Sequence, residues 1–219
     1  MRIALFTNRY PVDEHDDASP FVRDFCSALH DEGCTVRVLT PRYPGRAVDR
    51  DPWVERFTWA DSDRVLGELS LWRPAHLQRA VAAVRMGQTA ALRLVAHFRP
   101  DIVLALWALP SGHWARAAFR AAGVPYAVWC LGSDVQVWGR RPFLRRYVRA
   151  VLADACRCYA DGYALAAEAA ALARRPCAFL PSQRILTPLP EVAPRHPRDG
   201  RPYFLYLGRL SRAKGVLDI

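Results

Sequence analysis

The residues best suited to chemistry lie near the end of the 219-residue sequence, in the stretch YLGRLSRAKGV (206–216). An apolar run leads into Gly208, which lets a backbone approach a ligand closely, and Arg209 and Lys214 follow in a short polar loop. Arg209 offers a planar fork that suits phosphate oxygens, and Lys214 offers a flexible point charge. A helix that begins near Lys214 would direct free N–H groups at the same anion. The stretch therefore predicts a phosphate grip, with an exposed basic turn as the alternative.

A second candidate site is the turn Gly132-Ser133-Asp134, directly after a predicted strand. Open α/β sheets bind ligands at the carboxyl ends of their strands, where this turn lies. Asp134 has two open interpretations: its carboxylate binds a hydroxyl group of a substrate, or it caps the helix that follows.

The loop after the first predicted strand gives a third candidate site. Ser19 and Pro20 predict the start of a helix, with Ser19 as its N-cap. The helix N-terminus that follows, with Ser19 and Phe21, is a predicted site for a hydroxyl or phosphate group. Asp16 and Asp17 are interpreted as an acidic surface loop.

Strands and helices alternate along the sequence, which predicts a Rossmann-like, doubly wound and mostly parallel sheet. Residues 1–186 are predicted to form this domain, 187–202 a proline-rich linker, and 203–219 the first strand and loop of a further domain. The predicted strands are 2–7, 35–40, 53–59, 102–106, 126–130, 156–160 and 177–180, and the predicted helices are 20–32, 74–98, 111–122, 142–155 and 163–173.

The formal net charge is +10, and Lys214 is the only lysine. This balance favours an anionic partner or reflects a bias toward arginine. Five arginines lie within a ten-residue stretch at the start of the predicted helix 142–155, and they suit either an anionic membrane surface or solvent: Arg140, Arg141, Arg145, Arg146 and Arg149. Nucleic-acid motifs are absent from the sequence, so we expect no nucleic acid partner. The six cysteines lack metal-binding spacing, so no metal is expected.

Three stretches together resemble the retaining glycosyltransferases of the GT-B fold, family four: RIALFTNRYP with SPFVRDFCSALHDEGCTVRVLTP, DIVLALWALPSG with AAGVPYAVWCLGSDV, and YLGRLSRAKGV. The resemblance implies an enzyme that transfers a sugar from a UDP- or GDP-sugar to a glycan or lipid-linked acceptor with retention. It implies that Gly208, Arg209 and Lys214 bind the donor, that the two cations are catalytic, and that no cofactor is needed. It also implies that residues 1–186 form the acceptor-binding domain and that 203–219 begin the donor domain, so the 219 residues alone are expected to be inactive.

Under the same resemblance, Ser19, Phe21 and the Gly132-Ser133-Asp134 turn are the expected acceptor-binding residues. The family often carries polar residues where this sequence has Leu104, Leu106 and Leu131, and these departures keep open a non-catalytic acceptor- or partner-binding module. A nicotinamide dehydrogenase is disfavoured because the first loop lacks G-x-G-x-x-G. Without a signal peptide or an 18-residue apolar run, the expected location is cytoplasmic, including the periphery of the inner membrane face.

Overall fold

The computed structural model describes residues 1–13, 16, 19–43, 51–59, 73–185, 205–206 and 215–216. The strands are β1 (Arg2–Phe6), β2 (Thr35–Pro41), β3 (Val54–Phe57), β4 (Ile102–Leu106), β5 (Tyr126–Cys130), β6 (Arg157–Ala160) and β7 (Ala178–Phe179). The helices are α1 (Phe21–Asp31), α2 (Pro74–Phe98), α3 (Ser111–Ala122), α4 (Pro142–Asp154) and α5 (Tyr163–Ala173), and a π-helical turn covers Asp134–Trp138.

The seven strands form one parallel sheet in the order β3-β2-β1-β4-β5-β6-β7. The order reverses between β1 and β4, where Leu5 pairs in register with Leu104. Parallel neighbours need long crossovers, and helices supply most of them here. The predicted Rossmann-like, doubly wound α/β fold is therefore confirmed.

The two faces of the sheet are covered differently. Helix α1 packs Val22 and Cys26 against one face, in a cluster with Leu5 and Trp129. Helices α2 to α5 contribute to the larger apolar cluster on the other face. Strands with both faces buried consist of nearly continuous apolar residues, which is why the central strands could be predicted from the sequence.

Helices α2 and α3 approach closely because Gly87 lies in the middle of α2. A Cβ atom at Gly87 would come within 2.4 Å of the Trp114 ring. That indole is fully buried, and its Nε1 donates to the carbonyl oxygen of Val84 at 2.9 Å. The glycine, unfavourable in a helix interior, is therefore explained by packing.

The chain divides into two compact units, Met1–Ile185 and Leu186–Ile219. The first unit holds all the elements named above. The predicted linker 187–202 and most of the stretch 203–219 lie outside the described residues, so the predicted domain division stays a prediction.

Candidate functional site

The carboxyl edge of the sheet, around the reversal between β1 and β4, gathers three loops. The loop after β1 leads to the N-terminus of α1, the segment after β4 leads to α3, and the segment after β5 leads to the π-helical turn. Ligands of open α/β sheets bind at such a reversal. Two of the three predicted sites, at Ser19–Phe21 and at 132–134, therefore lie on the same edge.

Asp134 joins two of these loops through its side chain. Its carboxylate is fully buried; one oxygen accepts from the N–H of Ala108 at 2.9 Å, and the other from the N–H groups of Gly132 at 3.1 Å and Leu131 at 3.3 Å. Burial raises the pKa of this carboxyl, while the backbone N–H groups act in the opposite direction. The carboxylate thus ties the segment after β4 to the turn after β5, a long-range partner rather than a cap of the following turn.

The neighbours of Asp134 differ from it in exposure. Ser133 is exposed, and Gly132 is half-buried with φ at +109°. An L side chain rarely adopts that conformation, so the glycine keeps this turn in place. Ser133 therefore presents its hydroxyl at the carboxyl edge, whereas Asp134 holds the backbone beneath it.

Ser19 and Phe21 lie at the start of α1. The helix begins at Phe21 with Pro20 as its N-cap and without a side-chain cap, so the predicted Ser19 cap is wrong by one residue. Ser19 adopts φ of 58°, a left-handed conformation that glycine prefers, and its carbonyl oxygen accepts from Val22 N–H at 3.0 Å. The half-buried Phe21 ring packs edge-on against Trp129 with centroids 5.7 Å apart.

The loop after β1 is held by an ionic and polar network. Asp51 accepts from the Tyr10 hydroxyl and from Arg23 Nε, both at 2.8 Å, and the Arg23 guanidinium also donates to the carbonyl oxygens of Asp13 and Pro11. Burial raises the pKa of Tyr10 well above its usual range, which keeps the hydroxyl protonated as the donor. The network fixes the path of this loop toward α1.

Asp16 belongs to the same loop and is not a surface residue. It is 6% exposed, and its carboxylate accepts from Val12 N–H at 3.1 Å. The interpretation of Asp16 as part of an acidic surface loop is therefore wrong, because its carboxylate folds the loop internally. Asp17 lies outside the described residues.

The N-terminus of α1 and the segments after β4 and β5 lie within one recognisable domain family, whereas β1 and most of the loop after it precede the matched residues. The profile of the glycosyl transferase 4-like domain matches residues 18–187. The chain belongs to this family. A comparison with curated proteins gives no significant match.

This glycosyl transferase 4-like domain has the fold of several solved plant proteins. A variant of Os79 from O. sativa in complex with UDP has a TM-score of 0.52 and 17% identity, over 84% of this chain and 52% of that one. A second Os79 variant with UDP has a TM-score of 0.51 and 18% identity, over 82% and 52%. UGT89C1 of Arabidopsis thaliana complexed with UDP has a TM-score of 0.50 and 13% identity, over 77% and 47%. The chain thus spans about half the length of these structures.

The predicted phosphate grip, Gly208 with Arg209 and Lys214, lies beyond the residues that the family profile matches and outside the described residues. Its roles in donor binding and catalysis stay predictions. Within the described ranges, no group of three His, Cys, Asp or Glu side chains is arranged to hold a metal ion.

Two polar residues at this edge were missed from the sequence. Asn8 and Arg9 lie one residue beyond the end of β1, after Thr7, and both are half-buried. Asn8 Oδ1 and Arg9 Nε have no hydrogen-bond partner in the described part of the chain, although the Tyr43 hydroxyl donates to the Asn8 carbonyl oxygen. Their position immediately after the first strand was the signal that would have identified them.

The five arginines of 140–149 are all exposed, on and just before α4. Phe143 and Tyr147 of the same segment do not face the core, because they are 84% and 58% exposed. The buried residues of α4 are Val148, Val151 and Leu152. The N-terminal half of α4 thus exposes both guanidinium and aromatic groups. Along the described segments, no helix is both long and apolar enough to cross a membrane.

Proposed function

We propose that this domain binds the acceptor in a nucleotide-sugar glycosyltransferase, which transfers a sugar from a UDP- or GDP-sugar to a glycan or lipid-linked acceptor with retention. The observation that carries the proposal is the family match across residues 18–187, which includes the N-terminus of α1 and the segments after β4 and β5. UDP in the solved Os79 and UGT89C1 structures supports a nucleotide-linked donor.

In the proposed reaction, an acceptor hydroxyl oxygen bonds to the anomeric carbon on the face from which the diphosphate leaves. The glycosidic C–O bond to the diphosphate breaks with its electron pair, and the acceptor proton goes to a departing phosphate oxygen. Arg209 and Lys214 offset the negative charge that develops on the diphosphate. Ser19, Phe21 and Ser133 contact the acceptor, and Asp134 positions the backbone of that site.

The donor part of the proposal is tested by titration calorimetry with UDP, GDP and their sugars. Replacing Arg209 and Lys214 by alanine should weaken binding of the preferred nucleotide by about two orders of magnitude, because each charge-assisted hydrogen bond contributes about 1.5–3 kcal/mol. Arg201→Ala, in the predicted linker, is the matched control and should bind like the unmodified chain. Equal binding by the double variant and the control would contradict the assigned roles.

A non-catalytic binding module of the same family is the second candidate. The observation that favours it is that the one carboxylate of the turn after β5, Asp134, is fully engaged by backbone N–H groups. Because the 219 residues alone are expected to be inactive, a transfer assay with donor sugars and lipid or glycan acceptors separates the two only when the chain is joined to a donor-binding domain. A glycosylated product, with its anomeric configuration read by NMR, supports the transferase; turnover-free acceptor binding supports the module.

We also propose that the basic face of 140–149 contacts an anionic membrane surface at the cytoplasmic face. Each arginine near such a surface contributes about 1 kcal/mol, and five exposed ones lie within ten residues. Co-sedimentation with vesicles of phosphatidylcholine and phosphatidylglycerol should fall steeply with salt and with Arg145→Gln plus Arg146→Gln. Salt-independent binding would contradict an electrostatic contact.

A further inference from the structure

A groove of about 630 Å³ lies between α2, the start of α3 and the start of α4. One wall is α2, from Leu77 to Gln88, which covers about 16 Å along the helix axis. The opposite wall includes Trp138 and Tyr147, and Leu109 and Pro110 form part of the lining. The groove is long and mostly apolar, a shape that fits an extended hydrocarbon chain.

The groove exposes apolar side chains that would otherwise be expected in a core. Leu77 is 46% exposed, Val81 42% and Tyr147 58%, and all three line it. Contiguous apolar surface of this kind marks a site that a partner covers. Two of the polar groups in the lining face each other, since His113 Nε2 lies 3.1 Å from Gln88 Oε1.

The described helices around the groove are predominantly basic. Helix α2 contains no Asp or Glu, and α4 contains a single carboxylate, Asp154, which pairs with Arg116 at 2.6 Å. Arg85 lines the groove, and the Arg141 guanidinium lies 5.3 Å from the centroid of the Trp138 ring, which also lines it. An apolar channel with guanidinium groups at its rim complements a molecule that has a hydrocarbon chain and an anionic head.

We propose that this groove binds one molecule of an anionic amphiphile, such as a lipid phosphate, with its chain between α2 and α4 and its head at Arg85 or Arg141. The proposal does not depend on sugar transfer: the groove binds the amphiphile whether or not the chain is a transferase. It also differs from contact of α4 with a bilayer surface, because a single dispersed molecule suffices.

The test is titration calorimetry with octyl, decyl and dodecyl phosphate below their micellar concentrations, with inorganic phosphate and the neutral decyl ether of tetraethylene glycol as references. Affinity should rise up to about fourfold per added methylene, and inorganic phosphate should not bind measurably. Phosphate binding without dependence on chain length would overturn the proposal, because the anion alone would then be recognised.

Variants locate the site. Val81→Asp should weaken dodecyl phosphate binding at least tenfold, and Met86→Asp is the matched control, since Met86 is equally exposed at 42% on the same helix but does not line the groove. Replacing Arg85 and Arg141 by glutamine should weaken decyl phosphate several-fold and leave the neutral ether unchanged, with Arg93→Gln as control. Equal effects of the Val81 and Met86 variants would overturn the site.

The other occupants of such a groove give different results. If a second copy of the chain covers it, sedimentation velocity will show a dimer that Val81→Asp dissociates, and that outcome overturns the proposal. If only a bilayer is recognised, vesicles will bind while dispersed dodecyl phosphate does not, which also overturns it. Circular dichroism melting of each variant ensures that the comparison is made between folded proteins.

Discussion

The substitution Asp134→Asn tests whether this carboxylate holds the carboxyl edge together. An asparagine has one acceptor oxygen, so it can accept either from the Ala108 N–H or from the N–H groups of Leu131 and Gly132. Its NH₂ group then points at the remaining N–H donors, and those hydrogen bonds are lost. Because each buried bond to a charged acceptor contributes about 1.5–3 kcal/mol, the free energy of unfolding should fall by about 3 kcal/mol. For a unit of this size, the melting temperature should fall by about 6–12 °C.

The matched control is Asp101→Asn. Asp101 also accepts from a backbone N–H, that of Arg2 at 2.7 Å, but it is exposed. Water can replace that bond, so the expected loss is below about 1 kcal/mol. Thermal and urea unfolding at pH 7, followed by circular dichroism, measures both variants. A melting temperature for Asp134→Asn within 2 °C of the unmodified chain, an experimental threshold well below the ~6 °C expected, would refute the reasoning.

The loss of stability caused by the same substitution should also change with pH. Burial raises the folded-state pKa of Asp134 above the unfolded value. Between these two pKa values, the folded protein therefore binds a proton that the unfolded chain does not. The part of the stability that depends on this proton is therefore complete below about pH 3.9 and is lost as the pH rises through the folded pKa, whereas the backbone hydrogen bonds to the carboxylate remain at pH 7. The stability difference between the unmodified chain and the Asn variant should accordingly be larger near pH 4 than at pH 7. A smaller difference in acid would mean that the backbone N–H groups outweigh burial.

Two further predictions concern packing and a histidine. Gly87→Ala should lower the free energy of unfolding by about 1–3 kcal/mol, because the new Cβ would meet the Trp114 ring. Gly162→Ala is the control: no atom lies within 4 Å of its Cβ, so the melting temperature should change little. Equal effects of the two substitutions would contradict the role of Gly87 in packing. Burial lowers the pKa of His113, so stability should be lost as the pH falls from about 6.5 through the folded pKa, and His113→Gln should remove that part of the pH dependence of unfolding.

Most of the fold could be predicted from the sequence because the patterns that indicate helices and strands are local. Helix α2 was predicted with the bounds it has, Pro74–Phe98, since a proline begins it and an alanine- and leucine-rich run with helical periodicity continues it. The alternation of strands and helices was enough to predict the parallel sheet. Domain boundaries beyond Ile185 depend on residues outside the described part of the chain.

The site was less predictable because its contacts are long-range. The Asp134 carboxylate accepts a hydrogen bond from Ala108, 26 positions away in the sequence, and no local pattern predicts that bond. The conformation of Ser19 was equally hidden, since serine gives no sign of a positive φ. The amphipathic pattern of α4 was visible, but which of its apolar residues face the core depended on how α4 packs.

The direction of the leucine side chains of β4 bears on the proposed acceptor site. Side chains alternate along a strand, so Leu104 and Leu106 point to the same face, the one covered by α1. They are 9% and 0% exposed and belong to the cluster that contains Leu5, the register partner of Leu104. A polar side chain at either position would need a buried partner in that cluster before it could act on a ligand. The apolar character of β4 is therefore a requirement of packing, and under the proposed function the polar contacts with an acceptor come from the segments that follow the strands, where Ser133 is exposed.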